Sequence, residues 1–300
     1  MSNDVHDVER LKELQALPLE RKVGFTAARI AEWYHHWNGQ VHVSFSGGKD
    51  STVLLYIARK LFPDIKAVFI DTGLEYPEIR AFVKTWDNVD WIRPKLSFLQ
   101  VIQKYGYPVI SKEISQFVYY ARSGQKSAMQ KLCLVPVDKC KIGNRYLFPQ
   151  WGFLVKDAPF PISHRCCDIL KKGPAHEYSD KTKTKPIVAT MTEESMLRKN
   201  QWIRNGCNAF DAKRPISKPM SFWLEDDVLR YIQTMNIPIA SCYGKICNTL
   251  NGGGLQQPDA RGRGACSVVS AFIWKKSRID FSECISRIQS SGSIAWKISA

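Results

Sequence analysis

Short apolar runs alternate with helical patterns between residues 41 and 204 of the sequence. The runs that predict strands lie at residues 41–45, 66–70, 89–92 and 186–190. The patterns that predict helices lie at residues 51–61, 77–86, 97–104, 112–122 and 193–204. Because strands that alternate with helices form βαβ units, we predict an α/β fold, a Rossmann-like parallel sheet with helices on both faces.

Three segments depart from this alternation. They are a helical stretch at residues 4–38, a basic and aromatic insertion at residues 124–162, and a glycine-rich loop at residues 248–264. A last helix at residues 224–235 is predicted to turn Val228, Leu229 and Ile232 inward. This pattern predicts three domains. They are an N-terminal helical segment at residues 1–40, an α/β domain with the insertion at residues 41–205, and a smaller C-terminal helical and loop region at residues 206–300.

Composition limits the classes of protein that the sequence fits. The chain has 300 residues, of which 44% are hydrophobic and 11% aromatic, as in globular proteins rather than disordered ones. Its apolar runs fall short of the roughly 20 residues that cross a bilayer, so we expect no membrane association. The first residues lack the basic and apolar parts of a signal peptide, which predicts a cytoplasmic location. The net charge of +15 favours polyanionic partners, and both a nucleotide and a nucleic acid fit it.

The most informative segment is a glycine loop between a predicted strand and a predicted helix, Ser46-Gly47-Gly48-Lys49-Asp50-Ser51-Thr52. Two glycines let the backbone turn tightly, and the helix N-terminus adds unpaired N–H donors and a positive dipole end. Three hydroxyl groups and the lysine ammonium supply further groups for an anion, and Asp50 either holds the loop or positions Mg²⁺. The alternative is an ordinary strand-to-helix turn capped by Asp50 or Ser51.

This loop resembles the SGGxDS loop of the PP-loop ATP pyrophosphatases, whose fold is of the adenine nucleotide alpha-hydrolase type. The next predicted strand runs into Asp71-Thr72-Gly73-Leu74-Glu75, with Pro77 and Glu78 beyond it. That pattern resembles the second signature of the branch that contains phosphoadenylyl-sulfate (PAPS) reductases. The resemblance implies that the strand backbone at Phe69 and Ile70 meets the adenine. It implies a binding set of Ser44, Ser46, Gly47, Gly48, Lys49, Asp50, Ser51, Thr52, Phe69, Ile70, Asp71, Thr72, Gly73 and Glu75.

A third match follows the last predicted strand, at residues 192–198. It is similar to the E/Q-S-x-x-R sequence of the same reductases, which adds Glu194 and Ser195 to the binding set. The resemblance implies that Arg198 faces phosphate or sulfate, and that Lys49, Asp50 and Arg198 are the catalytic residues. The earlier arginine of the family is replaced here by Met191 or Thr192. The alternative is a capping box from Thr192 to Ser195, with Arg198 on a solvated face.

The nine cysteines are odd in number and spread along the chain, which argues against a disulfide framework. Cys166-Cys167 with Lys171 and Pro174 resembles the CC-x-x-x-K-x-x-P segment of adenylyl-sulfate (APS) reductases. This resemblance implies a 4Fe–4S cluster held by Cys166, Cys167, Cys266 and Cys247, with Cys242 as an alternative fourth ligand because Val269 replaces the second later cysteine. Zinc on the same thiolates and an empty site are the alternatives. We expect Cys133 and Cys284 to be small buried hydrophobes.

Three functions follow from these patterns. The first is a PAPS reductase-like enzyme that binds ATP, APS or PAPS and acts in sulfur transfer or reduction. The second is a nucleic-acid-directed sulfurtransferase or adenylating module, of the DNA phosphorothioation or tRNA thiolation type, for which a nucleic acid or a partner protein is the acceptor. The third is a non-catalytic regulator that senses nucleotide or redox state.

Overall fold

The computed structural model describes residues 6–136 and 147–244, together with the backbone of two short strands, Ile246–Thr249 and Gly252–Leu255. The described residues form two compact units. The first unit takes in the residues up to Val101 and those from Cys166 onward, and the second takes in Ile102–Arg165. These boundaries differ from the three segments expected from the sequence, and that division stays a prediction.

A six-stranded sheet forms the centre of the first unit. Its strands are β1 (Val41–Ser44), β2 (Lys66–Ile70), β3 (Val89–Ile92), β4 (Lys185–Ile187), β5 (Asn208–Ala209) and β6 (Ile216–Ser217), arranged in the order β3-β2-β1-β4-β6-β5. Every neighbouring pair is parallel except β5 with β6. The predicted Rossmann-like α/β class is therefore confirmed. The antiparallel edge was not expected, and it arises because residues 210–215 are too few for a parallel crossover, which needs about a dozen residues or more.

Ten α-helices precede, connect and follow these strands along the described part of the chain. They are α1 (Val8–Ala16), α2 (Leu19–His36), α3 (Lys49–Leu61), α4 (Pro77–Lys84), α5 (Phe98–Tyr105), which crosses into the second unit, α6 (Lys112–Arg122), α7 (Lys126–Lys131), α8 (Gly173–Thr182), α9 (Met196–Asn205) and α10 (Glu225–Met235). The helical stretch predicted at residues 4–38 is two helices, because Pro18 holds the preceding Leu17 in an extended conformation. The helix predicted from residue 193 begins at Met196, because Ser195 is extended and caps it.

Buried polar contacts join α2 to the start of α10. The ammonium group of Lys22 lies 2.5 Å from Asp227 Oδ2, and the same carboxylate oxygen accepts the Leu224 amide at 2.8 Å. Trp223 donates its indole N–H to the hydroxyl of Thr26 at 2.8 Å. Asp227 thus caps α10 and anchors it to α2, so the first turn of α10 has a fixed position. The inward-facing residues predicted for this helix, Val228, Leu229 and Ile232, are buried and confirm that prediction.

The second unit has its own hydrophobic core, built on α6 and α7 and on a 3-10 helix at Pro149–Val155. The guanidinium of Arg122 at the end of α6 donates to four backbone carbonyls, those of Leu154, Val155, Ala158 and Phe160. The described part of the predicted insertion at residues 124–162 is therefore packed structure. Cys133 is exposed in a turn after α7, with φ of 56°, so the prediction that it is buried was wrong.

Two short strands replace part of the glycine-rich loop predicted at residues 248–264. Strands β7 (Ile246–Thr249) and β8 (Gly252–Leu255) pair antiparallel as a hairpin, while residues 256–264 lie outside the described residues. Helices of the described ranges are all too short or too polar to cross a membrane.

His42 is a buried titratable group in the middle of the sheet. It lies in β1 with 2% of its surface exposed, its Nδ1 is 2.8 Å from the Thr184 hydroxyl, and its ring packs edge-on against Tyr178. Burial lowers the pKa of His42 from 6.5 to about 4, although Asp90 acts in the opposite direction. The folded protein thus favours the neutral imidazole.

We predict that His42 makes the protein less stable at acidic pH. Between pH 6.5 and pH 4 the unfolded chain binds the proton that the folded chain excludes, so the free energy of unfolding falls as the pH falls. The fall from this one group amounts to about 1.5 kcal/mol between pH 6.5 and pH 5. Urea unfolding at pH 7, 6 and 5 measures it. His42→Gln should flatten the dependence and His35→Gln, at an exposed position, should not; equal slopes for all three proteins would contradict the prediction.

Candidate functional site

The strand order of the sheet reverses at β1. Strands β2 and β3 lie on one side of it, while β4 and β6 lie on the other. In open parallel sheets, ligands bind outside the carboxyl ends of the strands at such a switch point. The glycine loop follows the carboxyl end of β1, and the segment that contains Glu194 and Arg198 follows β4. The fold thus brings two of the three predicted motifs to the position where a ligand site is expected.

The glycine loop owes its shape to one constrained glycine. Gly47 has φ of +71°, in the left-handed region that side chains disfavour. A Cβ atom built on it would lie 2.7 Å from Val83 Cγ2 and 2.8 Å from Ile79 Cγ2, both on α4. The loop therefore packs its backbone directly against α4, and position 47 accepts only glycine without strain.

Hydroxyl groups hold the rest of the loop. Ser51 Oγ accepts the Ser46 amide at 3.2 Å and donates to the Gly48 carbonyl at 2.9 Å. Thr52 donates to the same carbonyl at 2.9 Å, and Ser46 Oγ accepts the Gly48 amide at 3.3 Å. Three hydroxyl groups that the sequence suggested for phosphate binding thus stabilise the loop itself. The predicted ligand contacts of these residues, and of Ser44 at the end of β1, stay predictions.

Lys49 begins α3 and is only 3% exposed. Its ammonium lies 2.7 Å from Asp50 Oδ1 and 3.5 Å from Glu225 Oε1, which belongs to the first turn of α10. Burial lowers the pKa of Lys49, but the two carboxylates more than offset it, so the net pKa is raised. The group is therefore a permanent positive charge behind the glycine loop.

The carboxylate of Asp50 lies in acidic surroundings. Burial raises its pKa most, the ammonium of Lys49 lowers it, and the charges of Glu194 and Glu225 raise it, so that the net direction is upward. Glu225 is a site residue that the sequence analysis missed. The sequence shows only that the first turn of α10 is acidic. Acidic first turns are common at helix N-termini, so this pattern does not identify Lys49 as the partner of Glu225.

The second motif forms a closed turn after β2. Asp71 is buried, accepts the Gly73 amide at 3.1 Å and pairs with Arg80 at 2.8 Å. The backbone amide and hydroxyl of Thr72 both donate to Glu75, at 2.9 Å and 2.8 Å. These polar side chains therefore shape the turn. The backbone of Phe69 and Ile70, at the end of β2, stays the predicted adenine contact.

The third motif begins α9. Ser195 Oγ accepts the Arg198 amide at 3.3 Å and caps the helix, whereas Glu194 accepts the Met191 amide at 3.1 Å and forms an ion pair with Arg198. The capping box proposed from Thr192 to Ser195 is therefore wrong, because Met191 and Glu194 form that pair one residue earlier. Burial and the charge of Arg198 lower the pKa of Lys218, a nearby cation that the sequence analysis missed.

The tandem cysteines lie in a helix that leads into α8. Cys166 is buried, Cys167 is partly buried, and a π-helical turn follows at Asp168–Lys172. Pro174 explains the widened turn, because it lacks an amide proton and its ring would clash with the preceding turn of a regular helix.

These two cysteines are the part of the predicted cluster set that the structure describes in full. The side chain of Cys247 and the whole of Cys266 lie outside the described residues. Within the described ranges, groups of three or more potential metal ligands are absent. The described residues therefore do not fit a cluster by themselves, and we derive no chemistry from one.

Comparison with known proteins shows which family the chain resembles. Residues 40–107 match the model of the phosphoadenosine phosphosulfate reductase domain. The chain is 32% identical over 109 residues to an uncharacterized protein of Methanocaldococcus jannaschii, a match that covers 35% of the chain and 26% of that protein. It is also 22% identical over 213 residues to the adenosine 5′-phosphosulfate reductase of Lysinibacillus sphaericus, which covers 71% of the chain and 72% of that protein. These matches show that the chain is similar to proteins of the PAPS reductase-like family.

The chain spans about a quarter of the length of the M. jannaschii relative. Among solved structures it is similar to a PAPS reductase from Candida auris in complex with phosphate, with a TM-score of 0.40 and 12% identity over 78% of this chain and 90% of that one. A superposition at this level carries no functional information.

We predict that Gly47→Ala destabilises the protein far more than Gly73→Ala. Both glycines have positive φ, at +71° and +80°, but a Cβ at Gly73 would meet nothing within 4 Å. The backbone conformation alone costs about 1–2 kcal/mol in each variant. Overpacking against Val83 and Ile79 should add about 1–3 kcal/mol at Gly47 alone. Chemical denaturation measures the difference, and equal losses of stability would show that the close contact with α4 is not a constraint.

Proposed function

We propose that this protein is an enzyme that binds an adenine nucleotide, ATP, APS or PAPS, at the glycine loop and acts in sulfur transfer or reduction. The observation that carries the proposal is the position of that loop at the switch point of the sheet, between β1 and the N-terminus of α3. The family match supports it, because residues 40–107 contain both the glycine loop and the turn after β2.

The loop would recognise the charged part of the nucleotide mainly through its backbone. Its hydroxyl groups already bond within the loop, so the amides of the first turn of α3 are the donors suited to phosphate oxygens. Lys49 adds a buried positive charge next to them. Asp50 and Glu225 are the carboxylates that would hold Mg²⁺ arriving with the nucleotide, and such an ion would neutralise phosphate charge.

Two reactions fit this arrangement. In adenylate transfer, an acceptor attacks the α-phosphorus, the bond to the β-phosphate breaks and pyrophosphate leaves with the electron pair. In sulfonyl reduction, a thiolate attacks the sulfur of APS or PAPS and the nucleotide leaves; a second thiol then releases sulfite and forms a disulfide. Lys49 and Arg198 would stabilise the charge that develops on the leaving group. Pyrophosphate release and sulfite release distinguish the two reactions.

The nucleic-acid-directed alternative is supported by the net charge of +15. It shares the nucleotide site with the first proposal and differs in the acceptor. It stays a prediction from the sequence, as does the role of a regulator.

We predict that Lys49→Gln weakens nucleotide binding. The variant removes the buried charge behind the loop, and losing a charge-assisted contact of about 1.5–3 kcal/mol corresponds to about 10- to 150-fold in Kd. Lys66→Gln is the matched control, because it removes the same charge from an exposed lysine at the start of β2. Isothermal titration calorimetry with ATP, APS and PAPS measures both variants, and circular dichroism checks their folding. Wild-type affinity in Lys49→Gln would contradict the role of Lys49, and a wild-type protein that binds none of the three would contradict the proposed function.

The resemblance of the Cys166-Cys167 segment to APS reductases predicts a 4Fe–4S cluster in the protein purified without oxygen, although the described residues alone do not complete a cluster site. Elemental analysis should find about four iron and four sulfide per chain, and Cys166→Ser should lose both. Cys133→Ser, at an exposed cysteine of the second unit, is the control that should keep them. One zinc without sulfide would instead support the tetrahedral thiolate site, and the absence of all three elements would contradict any metal at these cysteines.

A further inference from the structure

A series of contacts connects the glycine loop to the residues that follow β4. Glu225, which lies 3.5 Å from the ammonium of Lys49, donates its backbone amide to the carboxylate of Glu193 at 2.9 Å. The next residue, Glu194, forms the ion pair with Arg198 in the first turn of α9. The cation of Arg198 is therefore linked to that of Lys49 through three acidic residues.

A second lysine lies one helical turn beyond Arg198. Lys218 directly follows β6, and its ammonium donates to Gln201 Oε1 at 2.7 Å. Gln201 follows Arg198 by three residues in α9, so these two side chains are neighbours on the helix surface. Lys218 and Arg198 are therefore neighbouring cations at the carboxyl ends of β4 and β6, the edge of the sheet where the ligand site is expected.

Backbone hydrogen bonds fix the position of Lys218. Its amide donates to the Cys207 carbonyl at 2.7 Å, and its carbonyl accepts the amide and the hydroxyl of Ser221 at 3.1 Å and 2.5 Å. The Ser221 carbonyl accepts the Thr192 amide at 2.8 Å, which ties this turn to the segment before α9. The lysine is thus preorganised, and a ligand that reaches it does not have to order its backbone.

Lys49 and Lys218 differ in how their charges are balanced. Lys49 has the carboxylates of Asp50 and Glu225, whereas Lys218 donates to the neutral amide of Gln201. Among the residues that the structure describes, no carboxylate forms an ion pair with Lys218. A half-buried ammonium without a counter-charge is unfavourable, and an anion that binds to it offsets that cost. Lys218 is therefore a positive charge that a ligand can balance.

We infer that Lys218 and Arg198 form a subsite for a tetrahedral oxyanion, and that Lys218 selects nucleotides with a phosphate or a sulfate beyond the α-phosphate. The inference rests on the proposed function, because the nucleotide brings this oxyanion to the site. The glycine loop and Lys49 serve the phosphate nearest to the loop, and Lys218 serves the group farther along the sheet edge. Phosphate and sulfate share charge and shape, so both fit the same pair of cations.

Lys218→Gln tests the subsite, because it removes the charge and keeps a polar side chain next to Gln201. We expect the dissociation constants for ATP and for APS to rise about 5- to 20-fold, as the loss of one partly exposed charged contact implies. The dissociation constant for AMP should stay unchanged, because AMP ends at the α-phosphate. Lys213→Gln is the matched control, since it removes the same charge from an exposed lysine between β5 and β6. Isothermal titration calorimetry measures the three ligands, and circular dichroism checks the folding of each variant.

Gln201→Glu is a second variant, and it leaves the lysine in place. The new carboxylate would pair with Lys218 and balance its charge in the ligand-free protein. Binding of ATP and APS should therefore weaken, and binding of AMP should not. A loss for APS alone in both variants would assign the subsite to sulfate, and a loss for ATP alone would assign it to phosphate.

Two results would overturn the subsite and leave the proposed function standing. The first is a wild type that binds ATP or APS and a Lys218→Gln variant that binds them equally well. The second is an equal loss of affinity for AMP in Lys218→Gln, which would mean that Lys218 supports the site as a whole. If the wild type binds no adenine nucleotide, the proposed function fails and the subsite fails with it.

Discussion

The buried ammonium of Lys49 is the group on which the arrangement of this site depends. A charge that is 3% exposed is tolerated only where carboxylates surround it, and here they come from Asp50 beside it and from Glu225 on α10. The position of Glu225 depends in turn on the capping of α10 by Asp227, and Asp227 is held by Lys22 of α2. The glycine loop is therefore supported by helices from both ends of the described chain. Loss of the distant Lys22–Asp227 ion pair would therefore shift the first turn of α10 and move Glu225 away from Lys49.

These contacts also explain why the hydroxyl side chains of the loop stabilise the loop itself. Gly47 is fixed by its contact with α4, and the hydroxyls of Ser51 and Thr52 are used on the Gly48 carbonyl. A loop held in this way keeps its amides in one orientation before any ligand arrives. Preorganised donors of this kind lose little entropy on binding, so an anion binds to them more tightly than to a mobile loop.

Much of the fold followed from local patterns in the sequence. Strands β1, β2 and β3, the turn into α3 and the inward face of α10 were predicted because apolar runs and helical spacing are properties of neighbouring residues. The glycine loop was found for the same reason. The antiparallel β5 was missed because its two-residue ladder leaves no periodic pattern. Exposure of Cys133 was missed because a turn, and not its hydrophobicity, decides its position.

The distant residues that contact the loop could not be predicted from local sequence patterns. Glu225 and Tyr243 follow the loop by many residues, and nothing in their immediate sequence marks them as neighbours of Lys49 and Gly48. They become neighbours only because β4 and β6 lie beside β1 in the sheet. Under the proposed function, backbone amides and a buried lysine select negative charge, which every candidate nucleotide carries. The choice among ATP, APS and PAPS would then come from groups around the loop, and Arg198 and Lys218, beyond β4 and β6, are cations proposed for that role.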